Sequence, residues 1–180
     1  MDELNWTSIG LTSVLSFIGA FIGAYLSFHF KKKEKVFENK LEVEARIIDE
    51  LKLPIYEMET NISHFKLHIK SKGINEAVQL ILNKDWFSIK ILQDMWESSS
   101  KINHILDLNS FYIKKNHRDI IMSEITKVRK ASFFGSFYDN ENFLSIYNET
   151  VLKEGLKFAQ ESLEDYDSKR LHKSLSELIK

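Results

Sequence analysis

The chain has no cysteine, which excludes disulfides, thiolate nucleophiles and any cysteine-held zinc. It has one proline, Pro54, and six glycines in 180 residues. So few breakers leave little room for the turns of a many-stranded sheet, and an all-helical fold follows as the default. Three of the six glycines fall within residues 6–30, a stretch that also lacks every Asp, Glu, Lys and Arg. Neither sign of charge dominates the remainder, with 24 acidic against 25 basic residues over 31–180. That balance argues against a large nucleic-acid surface built on charge.

What is present in residues 6–30 is WTSIGLTSVLSFIGAFIGAYLSFHF, followed at once by Lys31, Lys32, Lys33, Glu34 and Lys35. As a helix this run is roughly 37 Å long, enough to cross a hydrocarbon core with some tilt. Asp2 and Glu3 precede it in place of basic residues and no small-residue cleavage site follows, so it reads as a membrane span, not a cleavable signal. All Lys and Arg lie after it, which assigns residues 1–5 to the outside and residues 31–180 to the cytoplasm. At 100° per residue Ser8, Thr12, Ser13, Ser16, Gly19, Ala20, Gly23, Ala24 and Ser27 share one side. Leu11, Val14, Leu15, Phe17, Ile18, Phe21, Ile22, Tyr25, Leu26 and Phe28 share the other. A ridge of small residues lets helix backbones approach closely in lipid, where the hydrophobic effect cannot drive association. The face therefore predicts self-association, and its breadth suits two neighbours in a ring better than one in a dimer.

The 150 residues of 31–180 have the size of one domain. Lys31, Lys32, Lys33 and Lys35 form a juxtamembrane basic cluster suited to lipid headgroups. Phe37, Leu41, Ile48, Leu51, Ile55, Met58, Ile62, Phe65 and Ile69 then keep a heptad spacing, with Glu44 the misfit. This predicts a long helix to about residue 71, kinked at Pro54 and ended by Gly73. A parallel stalk and the long helix of an antiparallel bundle both fit; the later apolar segments need a partner and favour the bundle. Those segments are a short helix over 75–83 and a helix capped by Asp85 that carries Trp86, Ile89, Leu92, Met95, Trp96, Ile102 and Leu106. A third carries Ile120, Ile121, Ile125 and Val128, and a last one over 142–180 has a break at 165–168. Residues 132–142 read as a loop whose aromatics Phe133, Phe134, Phe137 and Tyr138 tuck into the bundle or meet a partner protein.

Motifs for chemistry are scarce. His64 and His68 stand one turn apart near Glu57 and Asn61, without the H-E-x-x-H pattern or a third ligand. His117, Arg118 and Asp119 repeat a kinase tripeptide without its companions. No phosphate-binding glycine loop, nucleophile elbow or dinucleotide fingerprint occurs. No catalytic residue, metal ligand or cofactor is assigned.

The uncharged span with its small-residue face, the KKKEK cluster and the helical remainder together resemble the small accessory membrane protein of type VI-B CRISPR systems. That resemblance implies a pore-forming ring in the bacterial inner membrane that strengthens RNA-guided antiviral defence. It also implies a HEPN-like cytoplasmic bundle, and as partners further copies of the chain, membrane lipid, and a CRISPR effector or its RNA products. HEPN ribonucleases carry Arg followed by His after four to six residues. None of Arg46, Arg118, Arg129 or Arg170 is followed by His at that spacing. The expectation is therefore a non-enzymatic membrane oligomer, with a tethered ribonuclease and a non-pore adaptor as the alternatives.

Overall fold

The computed structural model describes residues 6–137 and 147–178, with the side chains of residues 6–18 and of Phe137 outside that description. Among the described residues all regular structure is helical, so the expected all-α class is observed. The elements are α1 (Trp6–Leu82), α2 (Phe87–Leu108), α3 (Lys115–Ala131), a 3-10 turn (Phe133–Phe137), α4 (Glu149–Glu164) and α5 (Ser168–Ser176). The chain forms two compact units, Met1–Glu42 and Val43–Lys180.

In the first unit α1 is one uninterrupted helix whose described side chains, from residue 19 onward, are all exposed. Phe37 and Leu41, expected to begin the apolar seam, are among them. Among the described residues no helix is long and apolar enough to cross a membrane. The amino-terminal residues 1–5 and the side chains of residues 6–18, which make up the first half of the proposed span, lie outside the described residues.

The second unit holds the core. From α1 the seam residues Leu51, Ile55, Met58, Ile62, Phe65 and Ile69 are buried, joined by Ile47. They form one cluster with Ile89, Leu92, Met95, Ile102 and Leu106 of α2 and with Ile121, Ile125 and Val128 of α3. Leu152, Leu156, Ala159 and Leu163 of α4 and Leu171 of α5 complete it. An apolar stripe three to four residues apart explains each contribution. It also decides the earlier choice for this stretch, because the seam packs within its own chain as part of a bundle. α3 contacts α2, α4 and α5.

Three local features differ from the sequence reading. The non-helical backbone in α1 is at Gly73 (φ 76°, ψ 158°), whereas Pro54 lies inside the helix with helical dihedrals. Pro54 removes one ladder donor, but its flanks Leu51, Ile55 and Met58 are locked in the core, which holds the helix through it. Glu44, the heptad misfit, is buried. The end of α1 falls at Leu82 because Lys84 adopts positive φ: its N–H reaches the Ile81 carbonyl at 3.0 Å and the Asp85 N–H reaches Leu80 at 2.8 Å. That pair of bonds is a Schellman ending made with lysine where glycine is usual. The N-cap of α2 is Trp86, without a side-chain cap, and not Asp85 as expected; the Asp85 carboxylate, one residue earlier, accepts from the Phe87 N–H at 3.2 Å.

The expected loop at 132–142 begins as the 3-10 turn, laid along α2. Phe134 tucks in, edge-on to Tyr147 with centroids 5.2 Å apart. Phe133 stays half-exposed, edge-on to Trp96 at 6.4 Å. The Phe137 side chain, Tyr138 and the start of the expected last helix at 142 lie outside the described residues.

Two glycines are required by geometry. At Gly73 the combination of positive φ and extended ψ is open almost to glycine alone. At Gly135 a Cβ would strike the backbone of Leu92 and Gln93 in α2. Gly73→Ala is expected to cost about 1–3 kcal/mol through backbone strain. Gly135→Ala should cost about as much by lifting the turn off α2. Thermal unfolding of both variants against Lys130→Ala, an exposed control, checks this.

Candidate functional site

The residues singled out in the sequence fall into two groups. Ser8, Thr12, Ser13 and Ser16 have side chains outside the described residues. Gly19, Ala20, Gly23, Ala24 and Ser27 are exposed, and a Cβ built on Gly19 or Gly23 meets nothing within 4 Å. On the opposite side Phe21, Ile22, Tyr25, Leu26 and Phe28 are exposed, as is Phe30 near the end of the run. Tyr25 and His29, one turn apart, stack with ring centroids at 5.7 Å. Lys31, Lys32, Lys33 and Lys35 follow, all exposed. Lys32, Lys33 and Lys40 border a shallow cleft of ≈ 430 Å³ with Val36 and Phe37. Within this unit the described residues of the small face and of the large face are both uncovered.

The histidine pair does not assemble into a metal site. His64 is exposed, while His68 is half-buried and edge-on to Phe87 at 5.1 Å. Burial, with Lys72 nearby, holds the His68 pKa below the usual imidazole range, although Asp85 and Glu76 oppose this. Glu57 and Asn61 line a different cleft, with Asp94 and Glu97. Among the described residues no group of three His, Asp or Glu could hold a metal. Arg118 is engaged by Asp107 at 2.6 Å, and His117 Nδ1 lies 3.6 Å from Glu177.

The built polar site of the bundle lies instead at the break between α4 and α5, where two carboxylates receive the corner. Glu59 of α1 accepts from Ser168 Oγ at 2.6 Å and from Tyr166 OH at 2.9 Å. His172 Nε2 is 3.0 Å from its second oxygen, and because a carboxylate only accepts, this contact requires Nε2–H. Glu124 of α3, fully buried, takes Lys127 Nζ at 2.8 and 3.0 Å and the Asp167 backbone N–H at 3.0 Å. Arg170 stands 3.6 Å away, and Lys127 also donates to the Asp165 carbonyl at 2.7 Å. The Asp167 side chain then caps α5 by accepting from the Arg170 N–H at 3.0 Å.

This constellation contains Ser, His and Glu but not in a catalytic order. A nucleophilic serine needs the imidazole between itself and the carboxylate; here Glu59 stands between Ser168 and His172. Its donors are spent holding a carboxylate, so the arrangement pins α5 and performs no chemistry. Burial would raise the Glu59 pKa, but hydrogen bonds from Ser168, His172 and Tyr166 together outweigh it and hold the carboxyl below its usual range. Burial and then the Glu59 charge push the Tyr166 phenol far up, so it stays a donor.

Neither glutamate was assigned a role in advance, although both carry a signal. Glu124 stands in the apolar stripe of Ile121, Ile125 and Val128, and Glu59 adjoins that of Ile55, Met58 and Ile62. A carboxylate in an apolar stripe must be paired, and the partners came from a corner that the sequence marked only as a break. No family model, curated protein or solved structure matches the chain.

A lowered folded-state carboxylate pKa contributes stability that is present above the unfolded pKa and lost as pH falls through the folded one. Glu59→Ala is therefore expected to cost about 2 kcal/mol at pH 7. The gap to wild type should shrink as pH drops below the carboxylate range. Urea unfolding of both proteins between pH 7 and pH 3 checks the sign.

Proposed function

We propose that the chain is a single-pass membrane protein that self-associates through the small face of its amino-terminal helix. On this reading it acts as a pore-type effector or enhancer of bacterial RNA-guided antiviral defence. The observation that carries the membrane part is the described end of the uncharged run. There one helix leaves Phe21, Ile22, Tyr25, Leu26, Phe28 and Phe30 exposed and then meets Lys31, Lys32 and Lys33. Residues 6–18, whose composition continues the run, bring it to span length. The charge step places residues 31–180 on the cytoplasmic side and the short amino terminus outside.

Self-association rests on the opposite side of the helix. Gly19, Ala20, Gly23, Ala24 and Ser27 form a low ridge, and among the described residues nothing lies within 4 Å of a Cβ built on Gly19 or Gly23. Close helix contact in lipid needs such a ridge. The HEPN-like character of the bundle and the link to a CRISPR effector rest on the resemblance. Among the described residues Arg118 is occupied by Asp107, and the Ser–His–Glu cluster at Glu59 is ordered as a pin, so neither supports an enzymatic reading.

Because a Cβ at Gly23 meets nothing within 4 Å among the described residues, a larger residue there reports on neighbouring copies more than on folding. Gly23→Leu and Ala20→Phe are expected to reduce the detergent-solubilised oligomer to smaller species and to abolish membrane depolarisation. Leu15→Phe, on the large face, should be nearly silent. Multi-angle light scattering with helical circular dichroism reads both assembly and fold. A wild type that runs as a monomer, or a Gly23→Leu protein that keeps full assembly, overturns the proposal.

A further inference from the structure

Beside the turn at Gly73 the bundle carries a cleft of ≈ 670 Å³, the size of a small-ligand site. One wall comes from α1 and bears Lys66 and Lys70; the other comes from α4 and bears Lys153 and Lys157. Each pair is four residues apart, a spacing that puts both side chains on the same helical face. Four ammonium groups thus border one concavity against a single carboxylate, Glu164, which already accepts from Gln160 at 3.4 Å.

Lys52, Lys72, Lys90 and Lys127 each pair with a carboxylate one turn away. Among the described residues Lys66, Lys70, Lys153 and Lys157 have no such partner. Like charges held together repel, and a cleft with apolar walls focuses their field. The walls here include Ile69 and Ile74. A monoanion would offset only one of the four charges. A chain of phosphates offers several anionic oxygens to the two lysine pairs, and the amides of Asn75 and Gln160 provide neutral donors and acceptors beside them.

We propose that this cleft binds a compound carrying two or more adjacent phosphate groups, such as a nucleoside di- or triphosphate. The inference does not depend on the membrane reading. Full-length protein in mild detergent, titrated calorimetrically at low salt with sodium tripolyphosphate, ATP and orthophosphate, tests it. Tripolyphosphate and ATP are expected to bind at one site per chain, and orthophosphate at least roughly tenfold more weakly. Lys66→Gln/Lys70→Gln and Lys153→Gln/Lys157→Gln should each weaken ATP by roughly tenfold. The side chains are exposed, so both variants should keep the wild-type circular dichroism.

Lys32→Gln/Lys33→Gln, in the other basic cluster, should leave binding unchanged. A lipid headgroup with adjacent phosphates shares this chemistry, and nanodiscs with and without a phosphoinositide bisphosphate separate the sources. Tripolyphosphate displaced by that lipid assigns the site to a headgroup; undisturbed binding assigns it to a soluble compound. No binding at 1 mM ligand, equal affinity for orthophosphate, or loss in the Lys32→Gln/Lys33→Gln protein alone would overturn the proposal.

Discussion

Apolar surface left in water forgoes about 25 cal/mol for each Å², and one end of α1 leaves a great deal of it there. Phe21, Ile22, Tyr25, Leu26, Phe28 and Phe30 all stand exposed within a unit that consists of a single helix. A lone helix has no inside, so the described part of this unit gives these side chains no cover. The absence of any charge over residues 6–30 removes the usual reason for such a helix to prefer water. The proposed answer uses both sides: lipid against the large residues, and another copy against Gly19, Ala20 and Gly23. Lys31, Lys32 and Lys33 mark where that apolar environment ends.

The same helix serves the bundle under a different constraint. From Ile47 onward α1 buries a stripe, and on its flank Glu59 enters the packed region as a carboxylate. Together with Glu124 it forces the α4–α5 corner into one arrangement, since each oxygen must be met by a donor. Such pairs cost desolvation and add little net stability over an apolar substitute. What they contribute here is position: Tyr166, Ser168 and His172 meet one glutamate, while the Asp167 N–H and Lys127 meet the other. The pin orders the corner without offering a reactive group.

Much of this was legible in the residues. The all-helical class, the seam from Leu51 to Ile69, the interruption of the long helix at Gly73 and the break at 165–168 all follow from periodicity and turn chemistry. Other features depend on three-dimensional context that a linear pattern does not carry. Pro54 looked like a kink, yet packing on both sides holds its backbone helical. Phe37 and Leu41 keep the heptad phase but belong to the first unit, where they are exposed. Glu59 and Glu124 were visible as intruders in apolar stripes, but apart from Lys127 their partners are about 40 to 110 residues away in sequence. The lysine cleft was the least legible, because Lys66 and Lys153 become neighbours only once α1 and α4 are packed.

What surrounds the amino-terminal helix is directly measurable, because the chain lacks cysteine. A single thiol placed by Phe21→Cys or by Phe37→Cys is the only one in its chain, and maleimide reacts with the thiolate, which forms in water. In intact membranes the thiol at position 21 should resist a water-soluble maleimide until detergent is added. The one at position 37 should react at once in inside-out vesicles. Equal, rapid labelling at both positions before detergent would contradict a lipid environment for this helix and, with it, the proposed membrane function.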